Sequence, residues 1–151
     1  MVLNKGDGAP PASAPNQHGE EVTVDLDGPT VLYFYPRDDT PGCTIEANQF
    51  EREREVYEEA GVTVYGVSTD GIDSHAAFCE DQGITFDLLA DPDASIIDAY
   101  GIERRQNAAA RTTVVIIDGE IHRVYEGVDP DGHAREVLMD LLEEGVVDLP
   151  E

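Results

Sequence analysis

The chain has few basic residues. Nine Lys and Arg stand against 33 Asp and Glu among 151 residues, so the net charge is −24. Nucleic acid and anionic membrane surfaces are therefore poor partners, because binding to either requires clustered positive charge. The acidic residues are interleaved with apolar ones instead of forming a tail, which is typical of salt-tolerant surfaces. We expect a halophilic protein, adapted to a salt-rich cytoplasm.

Long apolar runs are also missing, and the chain has two cysteines. No segment approaches the roughly 18 apolar residues of a membrane span, and the N-terminus has no apolar core of signal-peptide length. We therefore expect a soluble, cytoplasmic protein with no membrane partner. In a reducing compartment, two cysteines are more often reactive or buried than joined in a permanent structural disulfide.

The length suits a single domain over residues 1–151, with an irregular Pro/Gly/Ala-rich arm over residues 1–19. After the arm, β-rich apolar runs predict strands, and apolar positions spaced among charges predict helices. The predicted order is strand 20–26, strand 30–35, helix 44–61, strand 62–68, helix 73–82, strand 84–90, short helix 96–100, hairpin 111–127 and a helix that begins near Asp131.

Alternating strands and helices of this kind indicate an α/β fold, with a central, mostly parallel sheet flanked by helices. The hairpin near the C-terminus adds an antiparallel pair, and its Asp118-Gly119 dipeptide is typical of a tight turn. Asp73 or Ser74 is suited to cap the helix that ends at Gly83.

Cys43 is the most informative residue. It follows the predicted central strand 30–35 and lies in the first turn of the next helix. Unpaired N–H groups and the positive end of the helix dipole favour an anion there, and the thiolate is the reactive form of cysteine. Thr40 places a hydroxyl within plausible reach of the sulfur, and Pro36 removes an N–H from the loop. The alternative is a buried, inert cysteine among ordinary turn residues.

The segment YFYPRDDTPGCTIEA resembles the peroxidatic-cysteine segment of peroxiredoxins, and within them the bacterioferritin-comigratory or PrxQ type. The family pattern Pro-x-x-x-Thr-x-x-Cys falls on Pro36, Thr40 and Cys43. The resemblance implies a thioredoxin-like fold and a cofactor-free thiol peroxidase acting on hydrogen peroxide and organic hydroperoxides. Similarity continues in GDGAP at 6–10, NQHGEEVTVDL at 16–26, GVS at 66–68, LLADPD at 88–93, YGI at 100–102 and Arg111.

The resemblance also implies a role for each matching residue. Cys43 would be the peroxidatic nucleophile, Thr40 would hydrogen-bond to the sulfur and the peroxide, and Pro36 would shield the site. Arg111 would stabilise the thiolate and polarise the peroxide, while Glu46 orients the arginine. These roles agree with the need for preorganised donors where negative charge develops. The alternatives are a solvated arginine, plain turn residues and a glutamate that complements the helix dipole.

The subfamily often carries a second cysteine five residues after the first, where this chain has Asn48. Some members place the resolving cysteine on the next helix instead, so the resemblance implies an intramolecular disulfide between Cys43 and Cys79, recycled by a thioredoxin-like dithiol partner. Such a bridge requires local rearrangement. If Cys79 only packs on the core, an external thiol would resolve a one-cysteine enzyme.

Two further functions remain open: a redox sensor or binder without turnover, and a thioredoxin-type oxidoreductase, which the absence of a Cys-x-x-Cys motif disfavours. His75 lies four residues before Cys79, but two ligands do not make a metal site, and we interpret it as a surface residue. We expect His18, His122 and His133 to be solvated, and the resemblance and the charge favour a monomer.

Overall fold

The computed structural model describes residues 3–149. Its helices are α1 Pro41–Arg52, α2 Arg54–Glu59, α3 Ile72–Gln82, α4 Ser95–Ala99 and α5 His133–Glu143. Its strands are β1 Ser13–Pro15, β2 Glu21–Thr23, β3 Thr30–Phe34, β4 Thr63–Ser68, β5 Asp87–Ala90, β6 Arg104–Arg105, β7 Ala108–Ala109, β8 Thr112–Ile117 and β9 Glu120–Glu126. Among these residues, no helix is long and apolar enough to cross a membrane.

A five-stranded sheet in the order β5-β4-β3-β8-β9 forms the centre of the fold. Strands β3, β4 and β5 pair in parallel, whereas β8 pairs antiparallel with both β3 and β9. The predicted α/β fold with a mixed central sheet is confirmed, and its pairings divide evenly between parallel and antiparallel. The hairpin turn has positive φ angles of 54° at Asp118 and 78° at Gly119, as a primed turn requires.

Strand β3 is buried on both faces of the sheet. Successive side chains of a strand point to opposite faces, so Tyr33 joins an apolar cluster with Phe50 of α1 and Phe78 of α3. On the other face, Leu32 and Phe34 join a second cluster that includes α4 and the N-terminal segment. The central strand is therefore held from both sides, and its C-terminal end is a rigid platform for the loop that follows.

Several local predictions differ from the structure. The predicted helix 44–61 begins earlier, at Pro41, and is broken at Glu53 into α1 and α2. Proline suits a first helical turn, where its missing N–H has no helical partner. Residues Ser13–Pro15 of the predicted irregular arm pair with Glu21–Thr23, and Ala12 and Ala14 are buried.

The predicted caps of α3 are wrong, because Asp73 and Ser74 lie inside this helix. It begins at Ile72, with Gly71 in an extended conformation as its N-cap. The Ser74 hydroxyl instead donates a hydrogen bond to Asp38 in the loop before α1. The predicted stop at Gly83 is confirmed, since this residue has the left-handed conformation, φ 69°.

Candidate active site

Cys43 lies at the start of α1, above the C-terminal end of β3. Thr40 is the N-cap with extended backbone, Pro41 is the first helical residue, and the thiol is buried with 1% exposure. The sulfur therefore lies in the first helical turn, where backbone N–H groups lack helical partners and the dipole favours negative charge. This confirms the position predicted for Cys43 relative to the strand and helix.

Arg111 reaches this helical turn because of the antiparallel pairing of β3 with β8. Phe34 at the end of β3 is paired with Thr112 at the start of β8, so the residue before Thr112 lies beside the loop that follows β3. Arg111 donates from Nη1 to Glu46 Oε1 at 2.7 Å and from Nη2 to Cys43 Sγ at 3.5 Å. One planar guanidinium thus contacts both the sulfur and the carboxylate.

Gly42 leaves room for this guanidinium. A Cβ atom at position 42 would lie 3.0 Å from Arg111 Nη2 and 3.5 Å from Pro130 Cγ. The first distance is shorter than ordinary van der Waals contact, so a Cβ at this position would require the guanidinium to shift by a few tenths of an ångström. The Pro-Gly-Cys sequence therefore has a steric role as well as a role in starting the helix.

Glu46 is fully buried, and its two carboxylate oxygens differ. Oε1 accepts from Arg111, whereas Oε2 has no hydrogen-bond partner among residues 3–149. Burial raises the pKa of Glu46 to about 7 despite the opposing attraction of Arg111. For Arg111, burial lowers the pKa, but Glu46 and Cys43 outweigh it, so the net pKa is raised. Glu46 is therefore the member of this pair that titrates near neutral pH.

Thr40 and Pro36 flank the site, but they lie in different settings. The Thr40 hydroxyl donates to the carbonyl oxygen of Arg37 at 2.9 Å, so its bond to the sulfur and to the peroxide stays a prediction. Pro36 lines an open cleft of about 1200 Å³ together with Arg111, Ala109 and Val128. The cleft therefore reaches Arg111 from the side of the hairpin.

Cys79 is buried on α3, in the same apolar cluster as Cys43, and both cysteines are free thiols. Burial, followed by the charge of Asp38, raises the pKa of Cys79 to about 12. At position 48, where the subfamily often has its second cysteine, the Asn48 amide donates to Gln82 at the end of α3, 3.0 Å away. This contact ties the first helix to the helix that carries Cys79.

The interpretation of His75 as a surface residue is wrong. Its side chain is fully buried, and Nδ1 lies 2.6 Å from Asp38 Oδ2. Together with Phe78 and Cys79 it forms the buried face of α3, a helical spacing that the sequence already contained. His133 is also buried, not solvated, and its Nε2 lies 2.8 Å from the Thr113 hydroxyl. His18 is exposed, as predicted.

Comparison with known proteins places this geometry in a family. Residues 5–124 match the AhpC/TSA family. Peroxiredoxin Bcp of Escherichia coli K12 is 37% identical over 140 residues, which cover 91% of this chain and 86% of that protein. The crystal structure of peroxidoxin BcpB from Mycobacterium tuberculosis has a TM-score of 0.87 at 31% identity, covering 93% of this chain and 97% of that one. A mutant of Xylella fastidiosa PrxQ gives 0.89 and 31%, with coverages of 96% and 99%.

The fold and the cysteine–arginine site thus define a thiol peroxidase with a thioredoxin fold. The chain belongs to the AhpC/TSA family, and within it the chain is a peroxiredoxin of the Bcp/PrxQ type. The resemblance of the segment around Cys43 and the fold class predicted from it are confirmed.

Proposed function

We propose that this peroxiredoxin reduces hydrogen peroxide and organic hydroperoxides at Cys43, forms an intramolecular disulfide with Cys79, and is recycled by a thioredoxin-like dithiol protein. The observation that carries the proposal is the guanidinium of Arg111, which lies 2.7 Å from Glu46 and 3.5 Å from the sulfur of Cys43. A thiolate at a helix start with a fixed cation beside it is a nucleophile with a built-in stabiliser for a leaving oxygen.

In the first step, the Cys43 thiolate attacks the nearer peroxide oxygen. A sulfur–oxygen bond forms, the oxygen–oxygen bond breaks, and the peroxide proton remains on the new sulfenic acid. The departing alkoxide or hydroxide gains negative charge, which Arg111 stabilises before solvent protonates it. Glu46 holds the guanidinium in this orientation through its second nitrogen, and Pro36 limits access of water to the loop side of the site.

In the second step, the thiol of Cys79 condenses with the sulfenic acid and releases water. Both cysteines lie in one apolar cluster, which brings their helices together without joining the sulfur atoms. A disulfide requires Cβ atoms about 3.5–4.5 Å apart, so the start of α1 or part of α3 unwinds locally. A dithiol protein then attacks the exposed disulfide and restores both thiols.

A one-cysteine mechanism is the second candidate, and the burial of Cys79 favours it. Its pKa of about 12 makes the thiolate scarce at neutral pH. In that case an external thiol reduces the sulfenic acid, and Cys79 only packs against the core. The two-cysteine route remains the first candidate, because the local unwinding that it requires would also remove the burial of Cys79.

The surface charge bears on the partners. We propose a monomer in the cytoplasm of a salt-adapted cell. The resemblance to PrxQ-type peroxiredoxins favours a monomer, and at low salt a net charge of −24 also opposes self-association. The same charge repels an acidic reductant, so recycling should accelerate as salt screens the repulsion. Nucleic acid and anionic membranes stay outside the proposal for the same electrostatic reason.

Peroxide consumption by wild type, Cys43→Ser and Cys79→Ser tests the proposal. With a thioredoxin system as donor, Cys43→Ser should lose activity, and Cys79→Ser should lose thioredoxin-driven turnover while a small thiol still supports it. Non-reducing mass spectrometry after one equivalent of peroxide should show a 43–79 bridge in the wild type. Undiminished thioredoxin-driven turnover by Cys79→Ser would instead establish the one-cysteine mechanism.

A further inference from the structure

A buried polar contact joins the loop before Cys43 to the helix that carries Cys79. Asp38 lies in the loop between β3 and α1 with 6% exposure, and His75 lies on α3 with none. Nδ1 of His75 is 2.6 Å from Asp38 Oδ2, and Nε2 is 3.0 Å from the carbonyl oxygen of Leu89 in β5. The imidazole ring thus connects the active-site loop, the helix and the sheet.

The carboxylate of Asp38 has both oxygens engaged. The Tyr35 hydroxyl donates to Oδ1 at 2.6 Å, and the Ser74 hydroxyl donates to Oδ2 at 2.8 Å. The backbone N–H of Asp38 donates to Asp70 Oδ2, which also accepts from the Ser68 hydroxyl. Asp38, Asp70 and His75 lie close enough together to bind a metal ion, but both oxygens of Asp38 and Oδ2 of Asp70 already accept hydrogen bonds.

Both nitrogens of the imidazole have a partner. A carbonyl oxygen only accepts, so Nε2 of His75 donates to Leu89, and Nδ1 faces the Asp38 carboxylate at 2.6 Å. Charge-assisted hydrogen bonds are strong in a low-dielectric interior when every partner is satisfied. Removal of one partner leaves a buried polar group unpaired, which is costly.

We propose that Asp38 and His75 are a positioning pair, which we call the loop–helix latch. It fixes the loop for attack on peroxide and must separate before the two cysteines meet. Asp38 stands two residues before Thr40, the N-cap of α1, and His75 stands one helical turn before Cys79. The second half of this inference depends on the proposed role of Cys79.

The latch opposes the motion that the disulfide requires. In the proposed second step, one of the two helices unwinds so that the sulfur atoms meet, and the latch ties the chain just before one cysteine to the chain just before the other. A strong latch therefore prolongs the life of the sulfenic acid. With a second peroxide, that acid is oxidised further to the sulfinic acid while the peroxide is reduced to an alcohol or water. The latch thus sets the partition between disulfide formation and irreversible oxidation.

The test measures the two steps separately in Asp38→Ala, Asp38→Asn and a control, Tyr100→Phe. The first step is measured by competition with a haem peroxidase for hydrogen peroxide, and disulfide formation by acid quench and mass spectrometry. The control removes a buried hydroxyl that donates to the Pro10 carbonyl, on the other face of the sheet. It should change neither rate.

Asp38→Ala should slow the reaction with peroxide and accelerate disulfide formation. Each rate should change by about tenfold or more, which is the effect of losing one charge-assisted hydrogen bond. Excess peroxide should then leave less sulfinic acid in Asp38→Ala than in wild type. Asp38→Asn should lie closer to wild type, because its amide can donate to Nδ1 and keep the geometry. If Asp38→Ala does not fold, Tyr35→Phe, which removes one donor to Asp38, should shift both rates in the same directions by less.

Two outcomes are decisive in different ways. If wild type forms the 43–79 bridge and the variants form it no faster, the latch is wrong while the two-cysteine mechanism stands. If wild type forms no bridge at all, the proposed role of Cys79 fails, and with it the second half of the inference. Its first half then depends only on the slower reaction of Asp38→Ala with peroxide, and an unchanged rate would overturn that half too.

Discussion

The Glu46 carboxyl should make the free energy of unfolding depend on pH, and Glu46→Gln should remove that dependence. Burial raises the pKa of Glu46 from 4.5 to about 7, against the attraction of Arg111. Between these values the folded chain binds a proton that the unfolded chain has released, so stability decreases as pH rises. The contribution is fully present below pH 4.5 and is lost as pH rises through about 7.

The size of the effect follows from the two pKa values of Glu46. Each pKa unit corresponds to about 1.4 kcal/mol, so the whole shift represents roughly 3 kcal/mol. Between about pH 5 and about pH 8, roughly 2–3 kcal/mol of it should be lost. That is a large fraction of the roughly 5–15 kcal/mol that stabilises a typical domain. The Oε2 atom, buried without a hydrogen-bond donor among residues 3–149, is the physical origin of the cost.

Urea unfolding followed by circular dichroism at about pH 5 and about pH 8 measures how the free energy of unfolding depends on pH. The comparison is best made between Cys43→Ser and Cys43→Ser/Glu46→Gln, because the serine background removes the thiol that also contacts Arg111. All other acidic residues titrate in both proteins and cancel in the difference. If the two proteins lose the same stability between about pH 5 and about pH 8 at constant ionic strength, Glu46 is not the source of the pH dependence.

Three further results are expected. Arg111→Lys should slow the reaction with hydrogen peroxide by about tenfold or more, because a single ammonium cannot contact Cys43 and Glu46 as the guanidinium does. Gly42→Ala should slow the same step without a matching loss of melting temperature, because its Cβ displaces Arg111; Gly8→Ala, which meets no neighbour within 4 Å, is the control. The melting temperature should rise from dilute buffer to about molar potassium chloride, because salt screens a charge of −24; equal values would reject the salt-adaptation hypothesis.

Local features of the fold were predictable because their causes are local. The apolar run 30–35 predicts a strand buried on both faces, and β3 occupies residues 30–34 of it. The turn at Asp118 and Gly119 needs two residues in the left-handed conformation, and an Asp-Gly dipeptide is typical of such a turn. The break between α1 and α2 lies at Glu53, whose buried carboxylate accepts hydrogen bonds from Arg135 of α5. The apolar periodicity of residues 44–61 gives no indication of Arg135, so the break could not be predicted from it.

The candidate site shows the same division. The position of Cys43 at a helix start follows from the strand, turn and helix around it. The approach of Arg111 to Cys43 spans 68 residues and depends on the register that pairs Phe34 with Thr112. In the sequence, only the resemblance to peroxiredoxins connects Arg111 with Cys43. The physical reason is visible once β8 runs antiparallel beside β3.

His75 explains why buried polar residues are the hardest to predict. A histidine on the same helical face as Phe78 and Cys79 has two interpretations, a surface residue at a boundary or a buried residue with a partner, and the partner lies 37 residues earlier. The same contact gives the loop two conflicting tasks, since attack on peroxide needs it fixed and disulfide formation needs it free. The contact between Asp38 and His75 therefore has to hold the loop in the reduced enzyme and still open after oxidation. A mutation that weakens the contact between Asp38 and His75 should therefore slow attack on peroxide and accelerate disulfide formation, and one that strengthens it should do the opposite.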